Sequence, residues 1–123
     1  PGGLAADSGR LRQMLHNLIR NSKEAGSGGP VTISIKSSLV ENSHGNWVMI
    51  ELSDDGPGFP AVVLENPFEP YVTNKAAGSG LGLAICRKIV IEHDGKISVS
   101  NLPGGGAMVQ IRLPLKLAKD RNP

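Results

Sequence analysis

A glycine-rich stretch that runs into an apolar helical pattern is the part of this chain best suited to chemistry. Gly78, Gly80 and Gly82 alternate with other residues and lead into an i, i+3, i+4 pattern over 81–90. The first amides of a helix have no partner within it, and the macrodipole is positive there. Because glycine has no Cβ, such a loop can bring several N–H donors against a polyanion. The pattern indicates a phosphate-binding helix start, with a flexible loop before an ordinary helix as the alternative.

Two common nucleotide signatures are missing from the sequence. The pattern GxGxxG would need glycine where Leu83 stands, and GxxxxGK[ST] does not occur. Neither a dinucleotide fold nor a Walker phosphate loop is therefore predicted.

A second candidate is a stripe of amide side chains on the first predicted helix. Gln13, Asn17 and Asn21 recur every four residues, so they share one face beside the apolar one. Asparagine is a poor helix former, so two of them within a helix lower its stability without a structural return. The stripe is either a ligand site or a solvated polar face.

An acidic strand end is the third candidate. Asp54 and Asp55 follow the apolar alternation of 47–53 and are followed by Gly56, Pro57 and Gly58. A carboxylate flanked by glycines can accept a hydrogen bond from a ligand amine such as the exocyclic nitrogen of adenine. The alternative is an ordinary Asp-Gly turn.

The elements that must position these groups follow from hydrophobic periodicity. Strands are predicted at 31–38, 47–53, 96–101 and 107–113, with turns at 41–46 and 102–106. Helices are predicted from Asp7 or Ser8 to Gly26, at 61–65, and from Leu81 to a left-handed stop at Gly95. This order predicts a two-layer α/β sandwich, with helices covering one face of a mixed sheet. The long irregular connection over 66–74, together with the glycines, is interpreted as a lid.

Composition restricts the class of protein. The 123 residues suffice for one domain with a sizeable core, and the single cysteine, Cys86, is expected in that core. A net charge of +2 without a basic run, and only 3% aromatic residues, argue against a nucleic-acid partner. No apolar stretch approaches the roughly 20 residues of a spanning helix, and no signal peptide is recognisable.

Four segments stand in the order and spacing of the asparagine, first glycine, phenylalanine and second glycine boxes of a known family: 17–21, 54–58, 67–70 and 78–85. On these motifs the chain resembles the catalytic ATP-binding domain (HATPase_c) of bacterial two-component sensor histidine kinases. The superfamily, GHKL, also includes gyrase, Hsp90 and MutL ATPases. The sequence of residues 69–75 most resembles that of nitrogen-regulation-type (NtrY/NtrB-like) kinases. The resemblance implies a Bergerat ATP-binding fold, with a mixed, mostly antiparallel sheet covered on one face by helices and an ATP lid.

The resemblance also implies roles at the two ends of ATP. Asn21 would offer its amide oxygen to Mg²⁺, and Asn17 would support the waters of the ion or the phosphates. Asp54 would accept the adenine amine, and Gly56 and Gly58 would let the base approach.

Further roles concern the phosphates. Lys75 would be the cation for the terminal phosphates and Thr73 a hydroxyl partner, so Asn17 and Lys75 are the residues assigned to catalysis. Main-chain contacts to the phosphates are expected from Gly78, Gly80, Leu81, Gly82 and Leu83.

The chain departs from the family pattern at two places. A basic residue often stands three positions after the metal asparagine and an aromatic one four after it, but here these are Glu24 and Ala25. Phosphate neutralisation is therefore expected to shift to Lys75, Lys23 or Arg20. The third glycine box usually has threonine near the base, whereas this chain has 104–107 as Gly-Gly-Gly-Ala, so one adenine contact is expected to be lost.

A mechanism follows from the residue at position 17. ATPases of the superfamily have a glutamate there to activate water, and the amide of Asn17 cannot take a proton. Slow hydrolysis and transfer of the γ-phosphoryl to a histidine on a separate dimerisation domain are expected. His16, His44 and His93 do not stand in a phospho-acceptor motif, so this chain is expected to bind ATP without autophosphorylation. The alternatives are a GHKL-type ATPase or serine kinase module, and a nucleotide-sensing domain without transfer activity.

Domain limits and partners complete the expectations. Residues 1–6 are interpreted as a linker remnant, 7–115 as the catalytic ATP-binding domain, and 116–123 as a C-terminal tail. Expected partners are ATP or ADP, the histidine-bearing dimerisation domain of the same parent protein and, indirectly, a response regulator. Direct contact with nucleic acid or membrane is not expected. The domain is expected to be cytoplasmic, on a membrane-anchored parent sensor.

Overall fold

The computed structural model describes residues 8–25, 30–43, 45–69 and 82–115. Its elements, in chain order, are α1 Ser8–Ala25, β1 Ile33–Asn42, β2 Gly45–Asp54, α2 Ala61–Glu65, α3 Gly82–Glu92, β3 Lys96–Asn101 and β4 Ala107–Pro114. Most of the predicted lid and glycine loop, residues 70–81, lies outside the described residues, as do 1–7 and 116–123.

The four strands form one sheet in the order β1-β2-β4-β3. All three strand pairs are antiparallel, so no parallel pair occurs among the described strands. Leu52 lies opposite Ile35 on β1 and Val109 on β4, which places these three side chains on the same face. The predicted α/β sandwich is confirmed, with the helices against this face.

The β1–β2 hairpin is longer and its turn shorter than the sequence pattern predicted. Asn42 pairs with Gly45, so the strands reach nearly to the turn instead of stopping at 38 and 47. Gly45 has φ +122°, which lets the chain reverse within fewer residues than the expected turn at 41–46.

Alternate residues of the sheet and one stripe of each long helix form the core. The buried side chains are Met14, Leu18, Leu52, Val63, Leu83, Cys86, Ile89, Val90, Val109, Ile111 and Leu113. Each such aliphatic side chain contributes about 1.5 to 3 kcal/mol relative to exposure. The thiol of Cys86 contacts the carbonyl oxygen of Met14 at 3.6 Å, and burial raises the pKa of Cys86 to about 12. Cys86 is therefore a core residue, as predicted, and it joins α1 to α3.

The end of α3 corrects one prediction. The left-handed residue is Asp94, with φ 60°, and not Gly95. Asp94 can adopt this conformation because a short polar side chain tolerates it. Glycine is needed at 95 for a different reason, since a Cβ there would overlap the carbonyl oxygen of Arg112 on β4. The predicted stop was wrong by one residue, and Gly95 instead permits close contact between helix and sheet.

Two contacts fasten the segments around the sheet. The Arg87 guanidinium lies 5.7 Å from the ring centroid of Phe68, which itself packs against the core. Arg10 on α1 forms an ion pair with Glu92 at the end of α3.

Among the described residues, no helix has both the length and the apolar character needed to cross a membrane.

Candidate functional site

The amide stripe of α1 meets the start of α3. A Cβ built on Gly82 would lie 3.0 Å from Oδ1 and 3.1 Å from Nδ2 of Asn21, so the Asn21 side chain lies directly against the first residue of α3. This contact follows from the packing of the two helices, whose apolar stripes share the core. The structure therefore brings together two of the three candidate features, an amide side chain and a helix start preceded by glycines.

The acidic strand end lies beside the same part of α1. Asp54 is 6% exposed, and its Oδ2 accepts a 2.8 Å hydrogen bond from the Ser22 hydroxyl. Its Oδ1 accepts the backbone N–H of Gly56 at 2.9 Å and that of Ala107 at 3.3 Å. Because Ser22 directly follows Asn21, α1 provides both the amide that lies at the start of α3 and the hydroxyl that bonds to Asp54.

Asp55 has a different role from its neighbour. Successive residues at a strand end point to opposite sides, and Asp55 is exposed where Asp54 is buried. Its Oδ1 accepts the N–H of Thr32 at 2.8 Å, while its own N–H donates to the carbonyl of Thr32 at 3.3 Å. Asp55 therefore fastens the start of β1 and faces away from the site.

The loop that follows Asp54 is bonded to the end of the edge strand β3. Asn101, at the end of β3, accepts the N–H of Phe59 at 2.7 Å and donates to the carbonyl of Phe59 at 3.0 Å. A Cβ on Gly58 would lie 2.9 Å from Oδ1 of Asn101. Glycine at 58 is thus required by the Asn101 contact, independently of any ligand.

Asn17 lies one helical turn before Asn21 and has an unusual environment. Its Nδ2 is buried and makes no hydrogen bond, which is true of no other buried side-chain nitrogen or oxygen in the described part of the chain. A buried amide without a partner is costly in the free protein, so this group fits a bound ligand. The neighbouring Asn21 supplies the type of oxygen that Mg²⁺ accepts.

Several predicted site residues belong to the segment before α3. Thr73, Lys75, Gly78, Gly80 and Leu81 lie outside the described residues. Leu83 is described, and its side chain is buried in the core, which leaves its main chain for any ligand contact. Within the described ranges, no group of three or more His, Cys, Asp or Glu side chains could hold a metal ion. The magnesium role of Asn21 stays a prediction.

Two residues of the site were missed by the sequence reasoning. Ser22 lies within the first predicted helix and Asn101 at the end of the strand predicted at 96–101, and neither was a candidate for the site. A hydroxyl within an otherwise apolar stripe was a usable signal, because such a group needs a buried partner. Asn101 carried no comparable signal, since its partner Phe59 is 42 residues away.

Comparison with known proteins agrees with this geometry. The family described as histidine kinase-, DNA gyrase B- and HSP90-like ATPase matches residues 6–117. The sensor histidine kinase ZraS of Escherichia coli O157:H7 is 39% identical over 94% of this chain and 24% of its own length. The sensory histidine kinase/phosphatase NtrB of Rhodobacter capsulatus is 37% identical over 89% of this chain and 33% of its own.

A solved structure supports the same assignment. The nucleotide-free catalytic domain of the histidine kinase ThkA is 37% identical, with a TM-score of 0.72 over 89% of this chain and 68% of that domain. The chain spans only a quarter to a third of the two kinases. The shared segment is the one that carries the catalytic domain fold. The chain therefore belongs to the histidine kinase-, DNA gyrase B- and HSP90-like ATPase family, as the ATP-binding catalytic domain found in sensor histidine kinases.

Proposed function

We propose that this chain binds ATP with Mg²⁺ between α1, the end of β2 and the start of α3, and that it supplies the γ-phosphoryl group to a histidine on a separate dimerisation domain. One observation carries the proposal: adjacent residues of α1 contact the other two walls, Asn21 at Gly82 and Ser22 at Asp54. Three motifs far apart in sequence thereby border one site.

The base end of this site is the carboxylate of Asp54. Among the described residues, three donors contact its two oxygens, two on Oδ1 and one on Oδ2. A carboxylate has about four acceptor positions, so one position on Oδ2 is left for a ligand donor. The exocyclic amine of adenine is such a donor, and in a site this buried the bond contributes about 1.5 to 3 kcal/mol.

The phosphate end lies at Asn17, Asn21 and the start of α3. Mg²⁺ held there by the Asn21 oxygen would neutralise part of the phosphate charge. The helix start contributes main-chain N–H donors from Gly82 and Leu83, where the macrodipole favours an anion. Asn17, one turn away, supplies an amide donor that has no hydrogen-bond partner in the described part of the chain. Lys75 and Thr73 are proposed as further contacts from the lid, with Gly78, Gly80 and Leu81.

The same groups favour transfer over hydrolysis. Neither Asn17 nor Asn21 can accept a proton, so neither can activate water as a general base. Phosphoryl transfer needs chiefly positioning and charge stabilisation, which amide and main-chain donors supply. His44 lies outside the described residues. Of the two described histidines, His16 is exposed on α1 and His93 follows the opposite end of α3 from Gly82. These positions support an acceptor histidine from another domain.

The test mixes the chain with a histidine-bearing helical dimerisation domain and γ-labelled ATP. We expect acid-labile label on the helical domain only when both proteins are present. Release of phosphate without phosphohistidine would favour an ATPase, and nucleotide binding without either product would favour a sensing module. Both results contradict the transfer proposal.

A pair of neighbouring carboxylates gives a matched control for the pocket itself. Asp54→Asn should weaken ADP binding by about 1 to 3 kcal/mol in calorimetry, because an amide replaces the charged acceptor. Asp55→Asn alters an exposed carboxylate that bonds to Thr32 and should leave ADP affinity unchanged. Equal effects of the two substitutions would remove Asp54 from the base site.

A further inference from the structure

We propose that Ser22 determines base specificity: its hydroxyl holds Oδ2 of Asp54 so that the one remaining acceptor position of the carboxylate faces a 6-amino group. This inference rests on the proposed nucleotide site. It assigns Ser22 as a positioning residue, since the hydroxyl acts on the base through Asp54.

The contact itself is buried and short. Ser22 is 5% exposed, Asp54 is 6% exposed, and the hydroxyl donates to Oδ2 over 2.8 Å. A hydrogen bond to an ionised group in such a place is among the stronger ones in proteins. The hydroxyl is therefore held in one orientation, with Asp54 as its acceptor.

Packing alone does not explain a serine at this position. Residue 22 lies one turn after Leu18 on the stripe of α1 that faces the core, and an apolar side chain there would leave Oδ2 of Asp54 without the bond that Ser22 gives it. Serine is also a weaker helix former than alanine. The hydroxyl makes sense as a fixed donor to the carboxylate.

Three donors from three elements together fix the carboxylate. Rotation about its Cβ–Cγ bond is soft in the absence of such contacts. The loop N–H of Gly56 and the β4 N–H of Ala107 both contact Oδ1, while Ser22 on α1 contacts Oδ2. Removal of the Ser22 bond leaves Oδ2 with no donor among the described residues, so the carboxylate can rotate or take up water.

This arrangement has a consequence for the choice of base. A purine with a 6-amino group offers a donor to the remaining acceptor on Oδ2, whereas a purine without that group leaves the carboxylate unpaired. Sites built to hydrogen-bond a group reject analogues that lack it, because the polar partner is then buried without a bond. The discrimination depends on the orientation of Oδ2, which the Ser22 hydroxyl maintains.

The experiment compares Mg-ADP with the magnesium complex of purine riboside 5′-diphosphate, which lacks only the 6-amino group. Calorimetry with the wild-type chain should give tighter binding of ADP. Ser22→Cys nearly preserves the side-chain volume, but a thiol is a poor hydrogen-bond donor. In this variant the dissociation constant of the purine riboside diphosphate divided by that of ADP should fall about fivefold or more. Ser22→Ala should behave in the same way. Ser98→Ala, at an exposed position on β3, is the matched control and should keep the wild-type ratio.

The outcomes separate this inference from the proposed function. An unchanged ratio in Ser22→Cys, or equal weakening of both nucleotides, overturns the role of Ser22. If Ser22→Ala does not fold, Ser22→Cys decides alone, with folding checked by circular dichroism. A wild-type chain that binds neither nucleotide would instead overturn the proposed nucleotide site. An Asp54→Asn variant that still prefers ADP would remove Asp54 from base recognition, and with it the role of Ser22.

Discussion

At the scale of single residues, Asn17 lowers the stability of the free protein at the candidate site. Its amide nitrogen is buried and has no hydrogen-bond partner within the described ranges, and asparagine is itself unfavourable within a helix. An unsatisfied buried polar group typically costs about 1 to 3 kcal/mol. Such a group is expected where a position is retained for binding and not for stability.

Asn17→Ala should therefore make the free chain more stable by about 1 kcal/mol, because it removes the unsatisfied amide and improves helix propensity. ADP affinity should fall in the same variant. Urea denaturation and calorimetry measure the two effects. Gln13→Ala, one turn earlier on the exposed part of the same stripe, is the control and should change stability only by its small difference in propensity. A less stable Asn17→Ala would mean that the amide has a stabilising partner in the free protein.

Single residues of the candidate site could be predicted from the sequence only in part. The aspartates at 54 and 55 were both candidates, and Asp54 was chosen by the family resemblance. Strand alternation explains the choice, because Asp54 points to the helix side and Asp55 to the opposite side. Ser22 was missed because helical periodicity identifies faces and not the partner that a polar group finds on one of them.

At the scale of elements, the glycine cluster before β4 meets the end of β2. Gly105 and Gly106 have φ +105° and +103°, and a Cβ on Gly106 would overlap the carbonyl oxygen of Asp54. A Cβ on Gly105 would meet nothing within 4 Å. At both positions a residue with a Cβ would be strained, but only Gly106 is also in close contact with the strand that carries Asp54.

Alanine at each position separates strain from contact. Gly105→Ala should lower the free energy of unfolding by about 1 to 3 kcal/mol, the usual cost of a left-handed backbone for a residue with a Cβ. Gly106→Ala should cost at least about 2 kcal/mol more, because the ends of two strands must also move apart. Gly104→Ala adds a Cβ in open space and should be nearly neutral. Urea denaturation of the three variants measures this, and equal losses at 105 and 106 would refute the close approach.

Elements were predicted better than their ends. All described helices and strands were anticipated, because periodicity over several residues reports the buried face. The ends depend on single backbone contacts, such as the turn at Gly45 and the approach of Gly95 to Arg112. Neither contact leaves a pattern in the sequence, so the hairpin turn and the helix stop were misplaced.

At the scale of the whole molecule, the site joins elements that are far apart in the chain. Ser22 bonds to a residue 32 positions later, and Asp54 accepts an N–H from a residue 53 positions later. The antiparallel sheet and the α1–α3 contact create this proximity, which no local pattern specifies. Only the family resemblance predicted that these motifs lie close together in the fold. It could do so because the four sequence boxes occur in the order found in a family whose ATP site they form.

Because the site exists only when α1, β2 and α3 are assembled, nucleotide binding should stabilise the entire chain. A ligand that binds only the folded state at 100 times its dissociation constant adds about 2.7 kcal/mol. For a domain of this size that corresponds to a rise of about 10 °C in Tm. Thermal unfolding followed by circular dichroism, with and without Mg-ADP, measures it. Asp54→Asn at the same ADP concentration should show a much smaller rise. Wild-type binding seen by calorimetry with no change in Tm would place the binding groups in a segment that does not depend on the fold.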